Sequence, residues 1–353
     1  MKKRLLAALT TACLMMGLIG CGSAAQTGGS SNASGGSGDK ITVGFSQVGA
    51  ESDWRTANTS SMKETFSEAN GYELIFDDAQ QKQENQIAAI RNFIQQEVDY
   101  IVLAPVTETG WDTVLQEAKD AGIPVIIVDR MVNVSDDSLF TAWVGSNFEL
   151  EGKKAAEWLA EYLKSAGRDS EEIGIVDIQG TIGASAQIGR TAGLEAEVAE
   201  HSNWNLLAKE TGEFTQAKGQ EVMESLLKQY GDDIDVVYCE NDNEAFGAID
   251  AIEAAGKKVG EDGILVMSFD STNAGLTEVL NGKIICNTEC NPLHGPRVEE
   301  IIKKLEKGES PSKLEYVDEA IFAGVEDVKS ITVDGNSSDV VYVTDEVLAQ
   351  RAY

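Results

Sequence analysis

Polar and aromatic side chains that could bind a small polar molecule recur where predicted strands end. Carboxylates accept hydrogen bonds from hydroxyl groups, guanidinium and amide groups donate to them, and an aromatic ring covers the apolar C–H face of a sugar. This mixture favours the binding of a neutral polyhydroxylated ligand. The candidate ligand-binding residues are Gln47, Asp53, Trp54, Arg55, Asp129, Arg130, Arg190, Phe214, Asn241, Asp270 and Glu289.

Three of these candidates have an alternative interpretation. Asp129, Asn241 and Asp270 could simply cap the helices that follow them, because Asp and Asn are favoured at helix N-termini. Capping does not explain the whole set, since side chains such as Trp54 and Arg130 are poor caps.

Catalytic and metal chemistry are not indicated. The candidate set has no nucleophile beside a base, no metal-ligating cluster and no phosphate-binding loop. With two histidines and no Cys-x-x-Cys pair, we expect no metal and no cofactor. His201 is expected at the surface, and His294 is assigned a structural role, although it could approach the site. Cys239, Cys286 and Cys290 are expected to be reduced residues of the core or of the binding pocket.

Length and charge narrow the class of protein further. The chain has 353 residues, which suggests two domains of roughly 150 residues each. Its 28 Lys and Arg residues against 59 Asp and Glu residues give a formal charge of -31. Nucleic-acid binding needs a basic surface, so a nucleic-acid partner is excluded.

The first 39 residues have the pattern of a secreted lipoprotein. A basic start and an apolar run fill residues 1–20 and end in Leu18-Ile19-Gly20-Cys21, which resembles a bacterial lipobox. The pattern predicts a lipoprotein signal peptide, with Cys21 lipidated and the protein anchored to the membrane outside the cytoplasm. An ordinary signal peptide with a chance cysteine is the alternative. Residues 21–39 comprise the lipidated Cys21 and a flexible Gly/Ser tether.

From residue 40 onward, apolar strands alternate with amphipathic helices. Strands such as residues 125–128 are continuous apolar runs, typical of parallel strands buried on both faces. Two series of about equal length predict an α/β fold with two doubly wound parallel-sheet lobes. Ligands bind such sheets outside the carboxyl ends of the strands, where the candidate residues lie.

Several motifs carry a resemblance to a known family. They comprise residues 43–49, 54–55, 80–87, 104–106, 109–111, 129–130, 179–181, 183–185 and 212–215. From about residue 41 to 310 the chain resembles type I periplasmic sugar-binding proteins of ABC transporters. Within the ribose- and galactose-binding class, it is most similar to galactofuranose-binding proteins.

The resemblance implies roles for the candidate residues. Trp54 and Phe214 correspond to aromatic side chains that stack on the sugar. Glu289 lies in a segment that differs from the family, and Asp53 stands where a small residue is expected. Hydroxyl-binding roles are implied for Arg55, Asp129, Arg130, Arg190, Asn241 and Asp270.

The resemblance also implies the domain organisation. The N-terminal lobe would comprise residues 40–146 plus 290–312, and the C-terminal lobe residues 147–289 plus 313–353. Three crossovers between the lobes would form a hinge that closes on the ligand. No role is predicted for residues 325–353.

The implied function is capture of a monosaccharide, resembling galactofuranose, by a monomer that delivers it to an ABC permease. Two alternatives stay open: service to a chemoreceptor or sensor kinase, and binding of another pentose or hexose such as ribose or galactose. A repressor effector domain shares the fold, but it would need a DNA-binding headpiece where this chain has a lipobox and tether. An enzyme is the least favoured class.

Overall fold

The computed structural model describes residues 40–353. The predicted signal peptide (1–20) and the segment with Cys21 and the tether (21–39) lie outside the described residues.

The first half of the described chain alternates strands and helices. The four residues of the strand Val125–Val128 are all buried, as expected for a parallel strand covered on both faces. The first helix begins where the Ser52 hydroxyl accepts a hydrogen bond from the Arg55 backbone N–H. The elements are β1 (Ile41–Gln47), α1 (Asp53–Thr65), β2 (Tyr72–Asp78), α2 (Gln83–Gln95), β3 (Tyr100–Leu103), α3 (Asp112–Asp120), β4 (Val125–Val128) and β5 (Ala142–Gly145).

The second half repeats this alternation and then adds a C-terminal extension. The alternating elements are α4 (Phe148–Ser165), β6 (Ile173–Gln179), α5 (Ser185–Glu200), β7 (Trp204–Thr211), α6 (Gln216–Tyr230), β8 (Val236–Cys239), α7 (Asp242–Ala254), β9 (Leu265–Asp270), α8 (Asn273–Leu280) and β10 (Cys286–Glu289). The remaining elements are α9 (Gly295–Glu306), β11 (Leu314–Tyr316), β12 (Ile321–Ala323), β13 (Ser330–Val333), β14 (Asn336–Tyr342) and α10 (Asp345–Ala349).

The described strands form two sheets, each the centre of one lobe. The first sheet has the order β2-β1-β3-β4-β5-β11 and is parallel throughout. The second has the order β7-β6-β8-β9-β10-β12-β14-β13, with antiparallel pairs at β10–β12 and β13–β14. The predicted α/β fold with two doubly wound lobes is confirmed. Among residues 40–353, no helix is both long and apolar enough to span a lipid bilayer.

The chain passes between the two sheets at three places in its described part: from β5 to α4, from β10 to α9 and from β11 to β12. The expected boundary at residues 312 and 313 is too early, because β11 pairs with β5 and so extends the first lobe. The three residues of β11 lack a buried apolar pattern, so the sequence showed no strand there.

Candidate functional site

A cavity of about 290 Å³ lies between the two lobes, at the carboxyl ends of the strands. Its lining comprises Glu51, Ser52, Trp54, Arg55, Asp129 and Arg130 from the first lobe, Phe148, Ala186, Arg190, Phe214, Asn241 and Asp270 from the second, and Cys290 from the second crossover.

The structure brings most of the predicted ligand-binding residues together. Trp54, Arg55, Asp129, Arg130, Arg190, Phe214, Asn241 and Asp270 all line the cavity. Gln47, Asp53 and Glu289 do not, and each has another role.

Gln47 and Asp53 lie beside the cavity. The Gln47 amide donates to Asn58 Oδ1 (2.9 Å) and its carbonyl accepts from Arg55 Nη1 (3.2 Å), so Gln47 orients Arg55. Asp53 is exposed, and its backbone N–H donates to Asn243 Oδ1 (3.0 Å) in the other lobe.

Glu289 contacts the C-terminus of the chain. Its Oε1 accepts from Arg351 Nη1 (2.8 Å) and from the Tyr353 hydroxyl (2.7 Å). Its Oε2 accepts from the Ala320 backbone N–H (2.8 Å). Glu289 is therefore not part of the cavity lining, because the C-terminal residues occupy its carboxylate, and its role in ligand binding stays a prediction.

Arg55 is the centre of a buried ion-pair network on the first lobe. Its Nη2 lies 2.7 Å from Asp129 Oδ2 and its Nε lies 3.0 Å from Glu51 Oε1. Burial opposes the charged form of Arg55, but Asp129 and Glu51 outweigh it and raise the pKa of the guanidinium group. Burial would likewise raise the pKa of Asp129, but Arg55 and Arg130 lower it below its ordinary value. Both groups are therefore charged at neutral pH.

Arg130 extends from the same wall toward the second lobe. Its Nη1 donates to the Val106 carbonyl oxygen (2.9 Å), and its guanidinium carbon lies 5.0 Å from the centre of the Phe214 ring. Burial and then repulsion from Arg55 lower the pKa of Arg130 to about 10, which leaves it charged at neutral pH.

Arg190 holds the second-lobe wall. Its Nε lies 2.8 Å from Glu151 Oε2, its Nη1 donates to the Glu240 carbonyl oxygen, and its Nη2 lies 3.5 Å from Asp270 Oδ1. Burial opposes the charged form of Arg190, but Glu151 and Asp270 raise the pKa of the guanidinium group. One buried cation thus orients the Glu151 carboxylate and lies farther from that of Asp270.

Three lining residues have left-handed backbone conformations. The φ angle is +62° at Asp129, +61° at Phe214 and +92° at Asp270. Such conformations cost side-chain-bearing residues on the order of 1–3 kcal/mol and cluster at functional sites. Here they follow β4 and β7 and end β9, at the edge of the sheets where the cavity lies.

The aromatic side chains occupy fixed positions in the cavity wall. The Trp54 indole N–H donates to the Cys290 carbonyl oxygen (2.6 Å). The Phe214 ring lies against Gly180, where a Cβ atom would approach it to 1.9 Å. Glycine at position 180 is therefore required for this ring position.

The capping interpretation holds for one of its three residues. Asn241 Oδ1 accepts from the Glu244 N–H (2.8 Å) and caps α7, while its Nδ2 donates to the Phe214 carbonyl oxygen (3.1 Å). Asp129 and Asp270 are not helix caps, since α8 is capped by Thr272 and no α-helix begins directly after Asp129 in the described chain.

Sequence reasoning missed several lining residues, Glu51 above all. Its spacing of four residues from Arg55 is the available signal, because acidic and basic side chains at i and i+4 often pair in helical segments, although Glu51 itself precedes the Ser52 cap of α1. Glu51 Oε2 is buried and has no hydrogen-bond partner among residues 40–353. Phe148 and Ala186 gave no comparable signal in the sequence.

The cysteines and histidines have structural roles. Cys239, Cys286 and Cys290 are free and buried, as predicted, and Cys290 lines the cavity. His201 is half-buried rather than exposed. Burial lowers the pKa of His294 to about 4, so its ring is neutral and packs edge-on against Trp54.

A cluster beside the cavity has the composition of a metal site. Ligand atoms of Glu151, Cys290 and Glu319 lie within 4.8 Å of one another. Arg190 already pairs with Glu151, and Glu319 Oε1 accepts from the Asn291 N–H (2.9 Å). Burial raises the pKa of both Glu319 and the Cys290 thiol. These groups therefore favour a shared proton over a cation at the hinge.

A second pair of carboxylates lies beneath the cavity. Glu240 accepts hydrogen bonds from the Thr191 hydroxyl (2.6 Å) and the Gly180 N–H (2.8 Å), and Asp177 lies across from it. Burial raises the pKa of Glu240 to about 8 and raises that of Asp177 well above its ordinary value. Glu240 is therefore largely protonated at neutral pH.

The lobes are closed over the cavity. Trp54 and Phe214 are each 4% exposed, although they belong to different lobes. Hydrogen bonds at the rim join the two lobes: Asp53 N to Asn243 Oδ1 (3.0 Å), Glu108 N to Gly183 O (2.9 Å) and Met131 N to Ser185 Oγ (2.9 Å).

Known proteins are similar to this chain in both sequence and architecture. The family model described as a periplasmic binding protein domain matches residues 43–288. The galactofuranose-binding protein YtfQ of Escherichia coli is 42% identical over 277 residues, which cover 78% of this chain and 85% of that protein.

Two solved structures are similar over most of their length. One, from Mycobacterium smegmatis in complex with beta-D-fucofuranose, is 44% identical with a TM-score of 0.77, covering 80% of this chain and 91% of that chain. The other is the periplasmic binding protein component of the arabinose ABC transporter from Shewanella sp. ANA-3, bound to alpha- and beta-L-arabinofuranose. It is 43% identical with a TM-score of 0.75, covering 80% of this chain and 92% of that chain. The two-lobed fold and these matches together show that the chain belongs to the periplasmic binding protein family, whose members matched here are solute-binding proteins and not enzymes.

Proposed function

We propose that this chain is a lipid-anchored, extracytoplasmic solute-binding protein that captures a furanose monosaccharide and delivers it to an ABC permease. The observation that carries the proposal is the enclosed cavity, in which buried guanidinium groups, carboxylates and aromatic rings from both lobes face one another. The family's periplasmic character supports the extracytoplasmic location.

The charge balance of the lining favours a neutral ligand. The lining carries Arg55, Arg130 and Arg190 against Glu51, Asp129 and Asp270. These groups are already paired within each wall of the cavity, so a charged ligand would leave an uncompensated buried charge at high cost. A neutral sugar leaves these ion pairs intact. Its hydroxyl groups can donate hydrogen bonds to the carboxylates and accept them from the guanidinium groups.

Unused acceptor atoms supply partners for the ligand's hydroxyl groups. In the described part of the chain, Glu51 Oε2 is buried without a hydrogen-bond partner, and Asp270 has one ion-pair contact, to Arg190 at 3.5 Å. Buried acceptors in native proteins are normally satisfied, so these two indicate where hydroxyl donors bind.

The relatives favour a furanose ring. Galactofuranose, fucofuranose and arabinofuranose, which appear in the names of three similar proteins, share a five-membered ring that carries at least one exocyclic carbon. In our proposal Trp54 covers the ring, Arg55 and Arg130 bind it from the first lobe, and Arg190 and Asp270 bind the other end.

We expect the protein to select the furanose form of galactose from solution. Because only a small fraction of dissolved galactose is furanose, the apparent affinity is reduced by that fraction. NMR spectroscopy with galactose labelled with ¹³C at C1 separates the two ring forms by the anomeric carbon shift. Bound furanose signals are expected, and exclusive binding of the pyranose would refute the ring assignment.

Two substitutions in the cavity should weaken binding. Each charge-assisted hydrogen bond contributes about 1.5–3 kcal/mol, so Arg130→Ala is expected to weaken binding by at least roughly tenfold. Trp54→Ala should have a similar effect through lost stacking area. Calorimetry measures both, with the exposed Arg91→Ala of the first lobe as control. Unchanged affinity in both cavity variants would show that the sugar binds outside this cavity.

Sensing by a chemoreceptor or sensor kinase is the second candidate function, because the same closed form could signal ligand capture. Uptake of radiolabelled sugar at low concentration distinguishes the two. Deletion of the gene should abolish uptake if the protein serves a permease, whereas normal uptake with a lost sugar response would favour sensing.

We expect lipidation at Cys21 to anchor the protein. Cys21→Ala should leave an unprocessed or soluble protein, since the modified thiol is lost, whereas the neighbouring Ser23→Ala should remain in the membrane fraction. Fractionation with metabolic labelling by a radioactive fatty acid provides the measurement. Equal labelling and equal membrane retention of the Cys21 variant would contradict the lipoprotein assignment.

A further inference from the structure

The last residues of the chain bind to the end of β9 and β10, next to the cavity. Arg351 Nη1 lies 2.8 Å from Glu289 Oε1, and its Nη2 donates to the Ser271 carbonyl oxygen (2.8 Å). The Asn273 N–H donates to the Tyr353 carbonyl oxygen (2.7 Å). Residues 350–353, here called the C-terminal clasp, therefore hold two strand ends together.

The guanidinium group of Arg351 is itself held firmly. It is stacked near two rings, at 5.1 Å from the centre of Phe322 and 4.4 Å from that of Tyr353. Its side chain is 12% exposed. A planar group in such a setting can donate to two acceptors at once, which a lysine ammonium group does less well.

The C-terminal clasp contacts a strained turn at Asp270 and Ser271. Asp270 and the following Ser271 have φ angles of +92° and +52°, in the left-handed region. Each such residue costs on the order of 1–3 kcal/mol and persists only where the surroundings hold it. From the interior, Asn287 Oδ1 accepts from the Ser271 N–H (2.9 Å), and Asp242 Oδ2 accepts from the Thr272 N–H (2.9 Å).

Arg351 holds the turn from the opposite side, because its guanidinium group donates a hydrogen bond to the Ser271 carbonyl oxygen. The Asp270 carboxylate has no hydrogen bond to another residue of the described chain, and its contact with Arg190 is 3.5 Å long. Its position in the cavity is therefore set by the backbone turn more than by side-chain contacts.

We propose that Arg351 is a positioning residue for ligand binding, which acts by holding the Asp270 turn in its strained conformation. The inference rests on the proposed function, because it concerns affinity for the sugar. It assigns a role to residues 350–353, which lie beyond the part of the chain matched by the family model.

Calorimetry on Arg351→Ala tests the proposal. We expect its affinity for the sugar that wild type binds to fall about tenfold, because a mobile turn adds an ordering cost to binding. Arg351→Lys should recover part of the loss, since one of two hydrogen bonds can return. Arg168→Ala, which removes a partly exposed ion pair with Glu171 in the same lobe, should bind as wild type does.

A double-mutant cycle separates positioning from a general loss of stability. If Arg351 acts through Asp270, then Arg351→Ala should weaken binding by less than about twofold once Asp270→Asn is present. Fully additive losses would overturn the proposal.

Hydrogen exchange measured by mass spectrometry gives a readout that needs no sugar. Amides of residues 271–273 should exchange faster in Arg351→Ala than in wild type and in Arg168→Ala, and unchanged exchange would also overturn the proposal. If wild type binds no furanose, the proposed function fails, and the exchange result still decides whether the clasp holds the turn. If wild type binds and Arg351→Ala binds equally well, only the positioning role fails.

Discussion

Arg190→Ala is expected to abolish measurable sugar binding and to lower the free energy of unfolding by about 3–5 kcal/mol. All three guanidinium nitrogens have partners: Glu151, the Glu240 carbonyl oxygen and Asp270. Removing the cation leaves two buried carboxylates unpaired on one wall of the cavity. Binding is lost because the second lobe then offers no guanidinium donor to the ligand.

Urea unfolding and calorimetry measure the two effects separately. Arg190→Lys keeps a charge but cannot reach three acceptors, so it should restore part of the stability and little of the affinity. Arg168→Ala is the matched control, because its ion pair is partly exposed and should contribute less than about 1 kcal/mol. Affinity of Arg190→Ala within about threefold of wild type would exclude Arg190 from the site.

Glu240→Gln is expected to stabilise the protein at alkaline pH. With a pKa of about 8 when folded, against an ordinary value of 4.5, Glu240 keeps its proton in the folded protein where the unfolded chain has lost it. The retained proton stabilises the folded protein fully at a pH below the pKa that Glu240 has in the unfolded chain. This stabilisation is lost as the pH rises through the pKa that Glu240 has in the folded protein. Glutamine resembles the protonated carboxyl group and can still pair with the Thr191 hydroxyl and the Gly180 N–H.

The gain at pH 8 should be on the order of 4 kcal/mol, since the pKa of Glu240 rises from 4.5 to about 8 and each pKa unit corresponds to about 1.4 kcal/mol. Urea unfolding between pH 4.5 and 8 should show a flatter decline for Glu240→Gln than for wild type. The exposed Glu200→Gln should keep the wild-type slope. Parallel pH profiles for Glu240→Gln and wild type would show that Glu240 does not hold the proton.

The hinge couples the ligand site to the crossovers. Glu319 lies in the third crossover, accepts from the Asn291 N–H of the second, and neighbours Glu151, which orients Arg190. If the ligand contacts Arg190, as we propose, binding would act directly on the segments that bend when the lobes open.

The sequence by itself determined the fold class and most of the cavity lining. Continuous apolar strands such as Val125–Val128 alternate with helices, and this pattern specifies parallel sheets buried on both faces. In such sheets the carboxyl ends of the strands gather at one edge, so polar residues at strand ends, such as Asp129 and Asp270, could be predicted to meet. Residue type and local position were sufficient for these assignments.

Only the tertiary structure decided the partners of those residues. Glu289 stands at a strand end like the true lining residues, but Arg351, far along the chain, occupies its carboxylate. Asn241 both caps α7 and lines the cavity, which its position alone could not distinguish. Strand β11 joins the first lobe through pairing with β5, without an apolar pattern of its own. The physical reason is the same in each case: these roles depend on contacts between segments distant in sequence, and local patterns carry no information about which distant group arrives.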